Sequence, residues 1–204
     1  TAVVAAERVS YQLREYMTIA SETGSLPRLS DPESTLADKQ QLLQQKVDTY
    51  GFQRYNLLDT RGHSLLDGSD YSNRAYFQEA MKGNAYVSEP LISSATGEVT
   101  IIVSAPVWEN GEAGGRIIGV VYFVPHETFL NDIVSSLKIS AGGSSYMLDA
   151  KGNTIAHKNL ESVLNQENTI EDARSDKSLA DLAAIESDMI AGHTGFEQYR
   201  YDGV

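Results

Sequence analysis

Residues 57–66, Leu57-Leu58-Asp59-Thr60-Arg61-Gly62-His63-Ser64-Leu65-Leu66, return 90 positions later as Met147-Leu148-Asp149-Ala150-Lys151-Gly152-Asn153-Thr154-Ile155-Ala156. Each copy places apolar residues on both sides of an Asp-x-basic-Gly turn, the pattern of a strand, a tight turn and a second strand. A repeat at this spacing constrains the fold more than composition does. It calls for two modules of like topology, each opening on the same hairpin.

The segments after each copy extend the match. After the first comes a short helix around Tyr76–Lys82, closed by Gly83 in a left-handed cap. Three strand candidates follow, Tyr86–Leu91, Val99–Val107 and Arg116–Val124, which together predict a five-stranded antiparallel sheet with an inserted helix. After the second copy come a polar stretch, a helix around Ser178–Ala191 stopped by Gly192, and a strand over Phe196–Tyr201 running into the hairpin signal Asp202-Gly203. The second module therefore matches the first as far as its third strand.

Three helices frame the modules. Ala2, Ala5, Val9, Leu13, Tyr16 and Ala20 recur at steps of three and four, so the chain enters an amphipathic helix that lasts to about Thr23. Asp31-Pro32 supplies an N-cap and a first-turn proline for a helix carrying Leu36, Leu43, Val47 and Tyr50 and ended by Gly51. Pro125 starts a linking helix with Phe129, Ile133 and Leu137 on one face, ending at Gly142-Gly143. The class is α+β. Entry in mid-helix, and an exit one residue into a partner strand, read as a portion of a longer chain.

The 204 residues carry a net charge of −12, which argues against nucleic acid or an anionic membrane surface as a partner. The absence of cysteine excludes disulfides and thiolate metal sites. The longest apolar run, from Ile117 to Val124, is far short of the roughly 20 residues a membrane-spanning helix needs. His63, His126, His157 and His193 are scattered, with none of the spacings of a metalloprotease, and no nucleophile elbow or phosphate-cradling loop occurs. No catalytic residue, metal ligand or cofactor is expected.

One constellation does suggest chemistry. Arg74 stands at the start of the short helix, where a second positive feature, the helix dipole, makes a cation mildly unfavourable unless an anion lies close. Its planar donor fork suits a carboxylate or phosphate. Tyr76 is the candidate aromatic wall, whereas Phe77 with Ala80 and Met81 forms an apolar face and reads as core. Tyr122 shares a strand face with Val124 by the period of two, and Ser88 and Ser93 are further polar candidates. In the competing account Arg74 pairs with Asp67 or Asp70 and merely pins the loop.

The run Arg74-Ala75-Tyr76-Phe77-Gln78-Glu79-Ala80, then Val87-Ser88-Glu89-Pro90, Ser104-Ala105-Pro106-Val107, Gly119-Val120-Val121 and Tyr146-Met147-Leu148-Asp149-Ala150-Lys151-Gly152 resembles the double Cache domain of bacterial transmembrane receptors. Such domains occur in methyl-accepting chemotaxis receptors, histidine kinases and membrane-bound diguanylate cyclases. The resemblance covers the whole chain and implies two PAS-like modules. Residues 1–50 would be the stalk and packing helices, 51–124 the membrane-distal module, 125–143 the linking helix, and 144–204 a proximal module incomplete at its C-terminus. It implies an extracytoplasmic sensor, periplasmic or extracellular, that binds a small anionic or polar organic ligand in the distal module and signals through the N-terminal helix. The receptor would be a homodimer and would meet the membrane only through transmembrane helices outside this stretch. The alternative is a ligand-free module for dimerisation or for docking a periplasmic binding protein.

In the amino-acid-binding branch, an Arg-x-Trp-Tyr run binds the ligand carboxylate, an upstream Tyr assists, and a Tyr with Asp residues on later strands holds the amino group. Arg74 matches the arginine, with Tyr76 and Phe77 at the two aromatic positions. Elsewhere the sequence departs: Ser69 stands at the upstream Tyr, Leu91 and Ser93 at the Tyr and Asp, and Val124 at the strand-end Asp. Without an acidic partner, the ammonium of an α-amino acid would be desolvated at considerable cost.

Overall fold

The computed structural model describes residues 2–92, 99–126, 129–137 and 145–198. Two compact units divide the chain, one formed mainly by Ala6–Leu91 with Thr100–Glu127 and the other mainly by Thr128–Val204.

In the first unit, helix α1 (Ala2–Gly24) is followed by the single turn α2 (Pro27–Ser30), α3 (Leu36–Tyr50) and strand β1 (Phe52–Leu58). Next come α4 (Ala75–Met81), β2 (Tyr86–Val87), β3 (Leu91–Ile92), β4 (Val99–Thr100), β5 (Val103–Trp108) and β6 (Ile117–Pro125). The sheet is antiparallel, in the order β1-β6-β5-β2, with β3 and β4 paired separately. Its four strands replace the five expected. The missing strand, after the Asp59 turn, shrinks to the bridges Leu58↔Ser64 and His63↔Asp70. Ser64 ends it, because its hydroxyl accepts the N–H groups of Leu66 and Asp67 and turns the chain before a ladder can form. The expected strand Val99–Val107 is likewise broken at Ile101-Ile102, where the side chain of Ser88 takes the Ile102 N–H.

The two faces of the sheet bury different things. Phe52 and Arg54 would share a face by strict alternation, but a register shift between them places Phe52 on the helix side. There its ring stacks on Phe123 at 4.7 Å and tilts against Tyr16 of α1 at 5.0 Å. Helix α3 packs on β1, with Leu43 fully buried and Val47 nearly so. At the end of α1, Gly24 lies so close to Pro106 that an added Cβ would stand 2.0 Å from that carbonyl oxygen. The opposite face carries Arg54, Asn56 and Leu58 of β1 with their β6 partners Val124, Tyr122 and Val120, and α4 covers it with Tyr76, Phe77 and Ala80. Burying a ring such as Phe77 contributes about 1.5–3 kcal/mol.

Helix α3 starts later than expected. Thr35, not Asp31, is the N-cap: its hydroxyl accepts from Asp38 N–H while the Asp38 carboxylate accepts from Thr35 N–H, a reciprocal box. Asp31 instead accepts the N–H of Glu33 in a local turn, and Leu36 and Tyr50 are exposed.

The second unit contains α5 (Phe129–Ser136), β7 (Tyr146–Leu148), β8 (Thr154–His157), α6 (Leu160–Leu164), α7 (Thr169–Asp172) and α8 (Ala180–Ile190). Pro125 closes β6 rather than opening α5, whose buried residues are Leu130, Ile133 and Val134. Phe129 and Leu137, expected on the core face, are only half-buried. Helices α6 and α7 fall in the stretch read only as polar, each capped by an asparagine, Asn159 and Asn168. Residues 193–198 carry no strand pairing and Phe196 is 91% exposed; the remainder of the expected final strand and its hairpin lies outside the described residues. Among the described residues no helix is long and apolar enough to cross a membrane.

The repeat is built alike in both units. Asp59 Oδ1 accepts from Arg61 N–H at 2.8 Å and His63 N–H at 2.9 Å; Asp149 Oδ1 accepts from Lys151 N–H and Asn153 N–H at the same two distances. Gly62 and Gly152 both have φ +88°. Beyond each turn a returning loop takes the next N–H, Ser64 to the Ser69 carbonyl and Thr154 to that of Glu167. In the second copy, Thr154-Ile155 continues as a true strand, as β-branched residues favour.

Candidate ligand-binding site

A row of side chains crosses the α4-covered face in register: Asn56 of β1, Tyr122 of β6, Ser104 of β5 and Tyr86 of β2. Such cross-strand neighbours have Cβ atoms about 4.5–5.5 Å apart, close enough to form one polar band through an apolar layer. Ser104 is fully buried, and its hydroxyl donates to the Tyr76 carbonyl at 2.8 Å, tying α4 to the centre of the sheet.

Tyr76 and Tyr122 are 5% and 7% exposed, and their rings meet edge-on with centroids 5.4 Å apart. Tyr71, in the loop before α4, meets the Tyr122 ring edge-on at 6.0 Å. The Tyr122 hydroxyl accepts from Asn56 Nδ2 at 3.2 Å, and Asn56 Oδ1 accepts from Ser64 Oγ at 2.8 Å and from Leu57 N–H at 2.7 Å. Burial pushes the Tyr76 hydroxyl up to about 12, against the pull of the nearby Arg74 and Arg54 charges. It raises Tyr122 as well, against the hydrogen bond from Asn56. Tyr76 and Tyr122 therefore keep their protons at neutral pH.

Arg74 is the N-cap residue of α4, where its carbonyl accepts from Phe77 and Gln78. The side chain is exposed, and its charge acts on the Tyr76 hydroxyl. Among the described residues it makes no ion pair. Asp67 and Asp70, its proposed structural partners, instead accept the backbone N–H groups of Ser69 and Ser72. Ser88 is buried and committed to the backbone: its hydroxyl accepts from Ile102 N–H and its own N–H donates to the Ile102 carbonyl. Ser93 lies outside the described residues.

Asn56, Tyr71 and Arg54 escaped the sequence reading. Ser69, at the position expected of an assisting tyrosine, is engaged within its own loop, its carbonyl accepting from Ser64 N–H and its N–H donating to Asp67, and the aromatic ring beside Tyr122 comes from Tyr71 two residues on. For Asn56 a signal existed: it alternates with the apolar Leu58 on one face of its strand, a polar residue where that neighbour calls for core.

A sheet face roofed by a short helix, with edge-on tyrosine rings and an exposed arginine at the start of that helix, suits recognition of a small polar molecule. The fold has solved relatives. The ligand-binding domain of the Pseudomonas aeruginosa PAO1 amino acid chemoreceptor PctC, in complex with GABA, superposes with a TM-score of 0.66 at 23% identity over 84% of this chain and 78% of that one. That of the Pseudomonas fluorescens chemoreceptor CtaA, with L-serine, gives 0.64 at 22% over 85% and 75%. That of Campylobacter jejuni Tlp3, with 4-methylisoleucine, gives 0.60 at 19% over 79% and 66%. The Cache domain family model matches residues 1–203, nearly the whole sequence, and both copies of the repeat fall inside that span. By that match, this chain belongs to the Cache domain family.

Proposed function

We propose that this chain is the extracytoplasmic sensor of a bacterial transmembrane receptor and acts by binding rather than catalysis. Its ligand is a small organic molecule whose anionic group meets Arg74 and whose body lies against Tyr76 and Tyr122. The module of residues 51–124 holds the ligand, and residues 144–204 form the membrane-proximal module. One observation carries the reading: Arg74 is exposed and without an ion pair among the described residues, and its charge acts on Tyr76, whose buried ring meets that of Tyr122 edge-on. The ligand-bound chemoreceptor domains of like fold add support, since GABA, L-serine and 4-methylisoleucine all present a carboxylate. Ligand binding shifts the module only by its differential affinity for two states, and α1 is the element long enough to carry such a shift. Val3, Val4 and Tyr11 of α1 are exposed apolar side chains that fit a homodimer through that helix, which light scattering would test.

The deciding experiment is a thermal-shift screen over organic acids, purines, amines and sugars, repeated with Arg74→Ala and Tyr76→Ala. A charge-assisted bond contributes roughly 1.5–3 kcal/mol, so Arg74→Ala is expected to weaken binding tenfold or more while the apo protein melts within a few degrees of wild type. Loss at Tyr76→Ala is expected to persist at high salt, because apolar contact is not screened. Normal binding by an Arg74→Ala protein that melts much lower would assign Arg74 to the scaffold.

A further inference from the structure

Strand register places a second cation on the face that α4 covers. Asn56 and Tyr122 are cross-strand partners on that face, joined by the bond from Asn56 Nδ2 to the Tyr122 oxygen. Arg54 precedes Asn56 by two residues and so shares its side of β1. Its partner across the ladder is Val124, which packs with Tyr76 and Tyr122 in the layer under α4. Arg54 is half-buried there, and the strand residues that share this face on β1, β6, β5 and β2 are otherwise uncharged. Burial raises the Tyr76 hydroxyl, and the charges that oppose this come from both arginines, Arg74 at the start of α4 and Arg54 on β1. The acids of the preceding loop and of α4 are engaged elsewhere. Asp67 and Asp70 accept N–H groups of their own loop, and Glu79 is paired with Lys82 at 2.6 Å.

We propose that Arg54 is a second anion-binding residue of the site, and that the ligand is a small dicarboxylate held between Arg54 on the sheet and Arg74 on the helix. This rests on the reading that Arg74 binds a ligand at all. A guanidinium carries five N–H donors, so Arg54 can hold a carboxylate and a further acceptor at the same time. A monocarboxylate answers one of the two cations. A dicarboxylate answers both, and each of its charges leaves water only where an opposite charge stands beside it. The buried rings of Tyr76 and Tyr122 suit the few methylenes that join the two carboxylates.

Calorimetric titration tests this with succinate, glutarate and adipate. Each is compared with the monocarboxylate of equal chain length, butyrate, pentanoate or hexanoate, and with its own monomethyl ester, which keeps the diacid's shape and removes one charge. The expected result is that at least one diacid binds at least tenfold tighter than its monoacid, in an Arg74-dependent manner, and that its half-ester falls to the monoacid's level. Arg54→Gln is expected to remove that advantage while leaving monoacid binding within about threefold. Should this variant fail to fold, Arg54→Lys, which keeps the charge without the planar fork and is expected to lose part of the advantage, takes its place. Monoacids or half-esters that bind as tightly as the diacids would overturn this inference and leave the proposed site standing, and a diacid advantage undiminished in the Arg54 variant would do the same. Absence of any Arg74-dependent binding across the series would overturn the site itself.

Discussion

Alanine at Gly62 and alanine at Gly152 are one substitution made twice in one backbone geometry. Both glycines have φ +88° and both N–H groups donate to the carbonyl of the turn aspartate at 3.1 Å. Forcing an L-residue into this left-handed region costs about 1–2 kcal/mol in either copy. The surroundings then separate them. A Cβ on Gly62 would lie 2.6 Å from Ser72 Cα and 2.7 Å from Ser72 N, where ordinary contact begins at 3.4 Å. Those are backbone atoms, held by the Tyr71 N–H bond to the Gly62 carbonyl at 2.8 Å and by the Asp70 carboxylate on Ser72 N–H at 2.8 Å. On Gly152 the nearest atom is Ile170 Cδ1 at 2.9 Å, the tip of a side chain that can rotate away. Overpacking against a fixed neighbour adds about 1–3 kcal/mol, so Gly62→Ala is expected to cost about 2–5 kcal/mol and Gly152→Ala about 1–2 kcal/mol. Urea unfolding distinguishes them. Trp108, the only tryptophan, lies in the same compact unit as Gly62 and reports that unit by fluorescence, while far-UV circular dichroism follows the whole chain. With a slope of about 2 kcal/mol/M, Gly62→Ala should lower the fluorescence midpoint by about 1–2.5 M, and Gly152→Ala should leave it in place. Equal losses, or a larger loss at Gly152, would refute the assignment of strain to the Ser72 contact.

Other outcomes follow from single groups. Thr35→Ala removes one arm of the capping box and is expected to cost about 0.5–2 kcal/mol, read as a lower melting temperature. Tyr122→Phe leaves the buried Asn56 amide without its acceptor and is expected to cost about 1–3 kcal/mol, while the ring contacts with Tyr76 and Tyr71 persist. Glu186 of α8 is 3% exposed, one of its oxygens has no hydrogen-bond partner, and burial raises its pKa. Between the ordinary carboxylate range and that raised value the folded chain holds a proton the unfolded chain releases. Stability should therefore fall as pH rises through this window and be unaffected by Glu186 below it. Glu186→Gln should flatten that slope in melting curves taken from pH 4 to pH 8; an unchanged slope would show that another group is responsible.

The parts of the fold legible in the sequence were those written locally. The Asp-x-basic-Gly turns, the Gly83 and Gly192 stops and the span of α1 each depend on residues adjacent in the chain, and each is where the pattern put it. Local rules failed where a side chain took over a backbone group. Ser64 and Ser88 each captured N–H groups that strand patterning assigned to a ladder, and Thr35 with Asp38 outcompeted the Asp31-Pro32 signal. At the candidate site, Tyr76 and Tyr122 could be named from the sequence because each follows the period of its own element. Tyr71 and Asn56 could not. Their role comes from the pairing of β1 with β6 and from a loop folding back over it, contacts of long sequence separation that no spacing rule encodes.

The register shift at the start of β1 has a mechanical meaning. It turns one strand into a two-sided member, with Phe52 wedged between Tyr16 of α1 and Phe123 on one face and Asn56 hydrogen-bonded to Tyr122 on the other. A close-packed interior has few voids to absorb a displacement, so a pull on the Asn56 end is felt as a push at the Phe52 end. The lever arm is four residues, about 13 Å of extended chain, and its fulcrum is the ladder with β6. Under the proposed reading, the first helix would be addressed from the opposite side of the sheet without the ligand touching it, and the irregularity in β1 makes that geometrically possible.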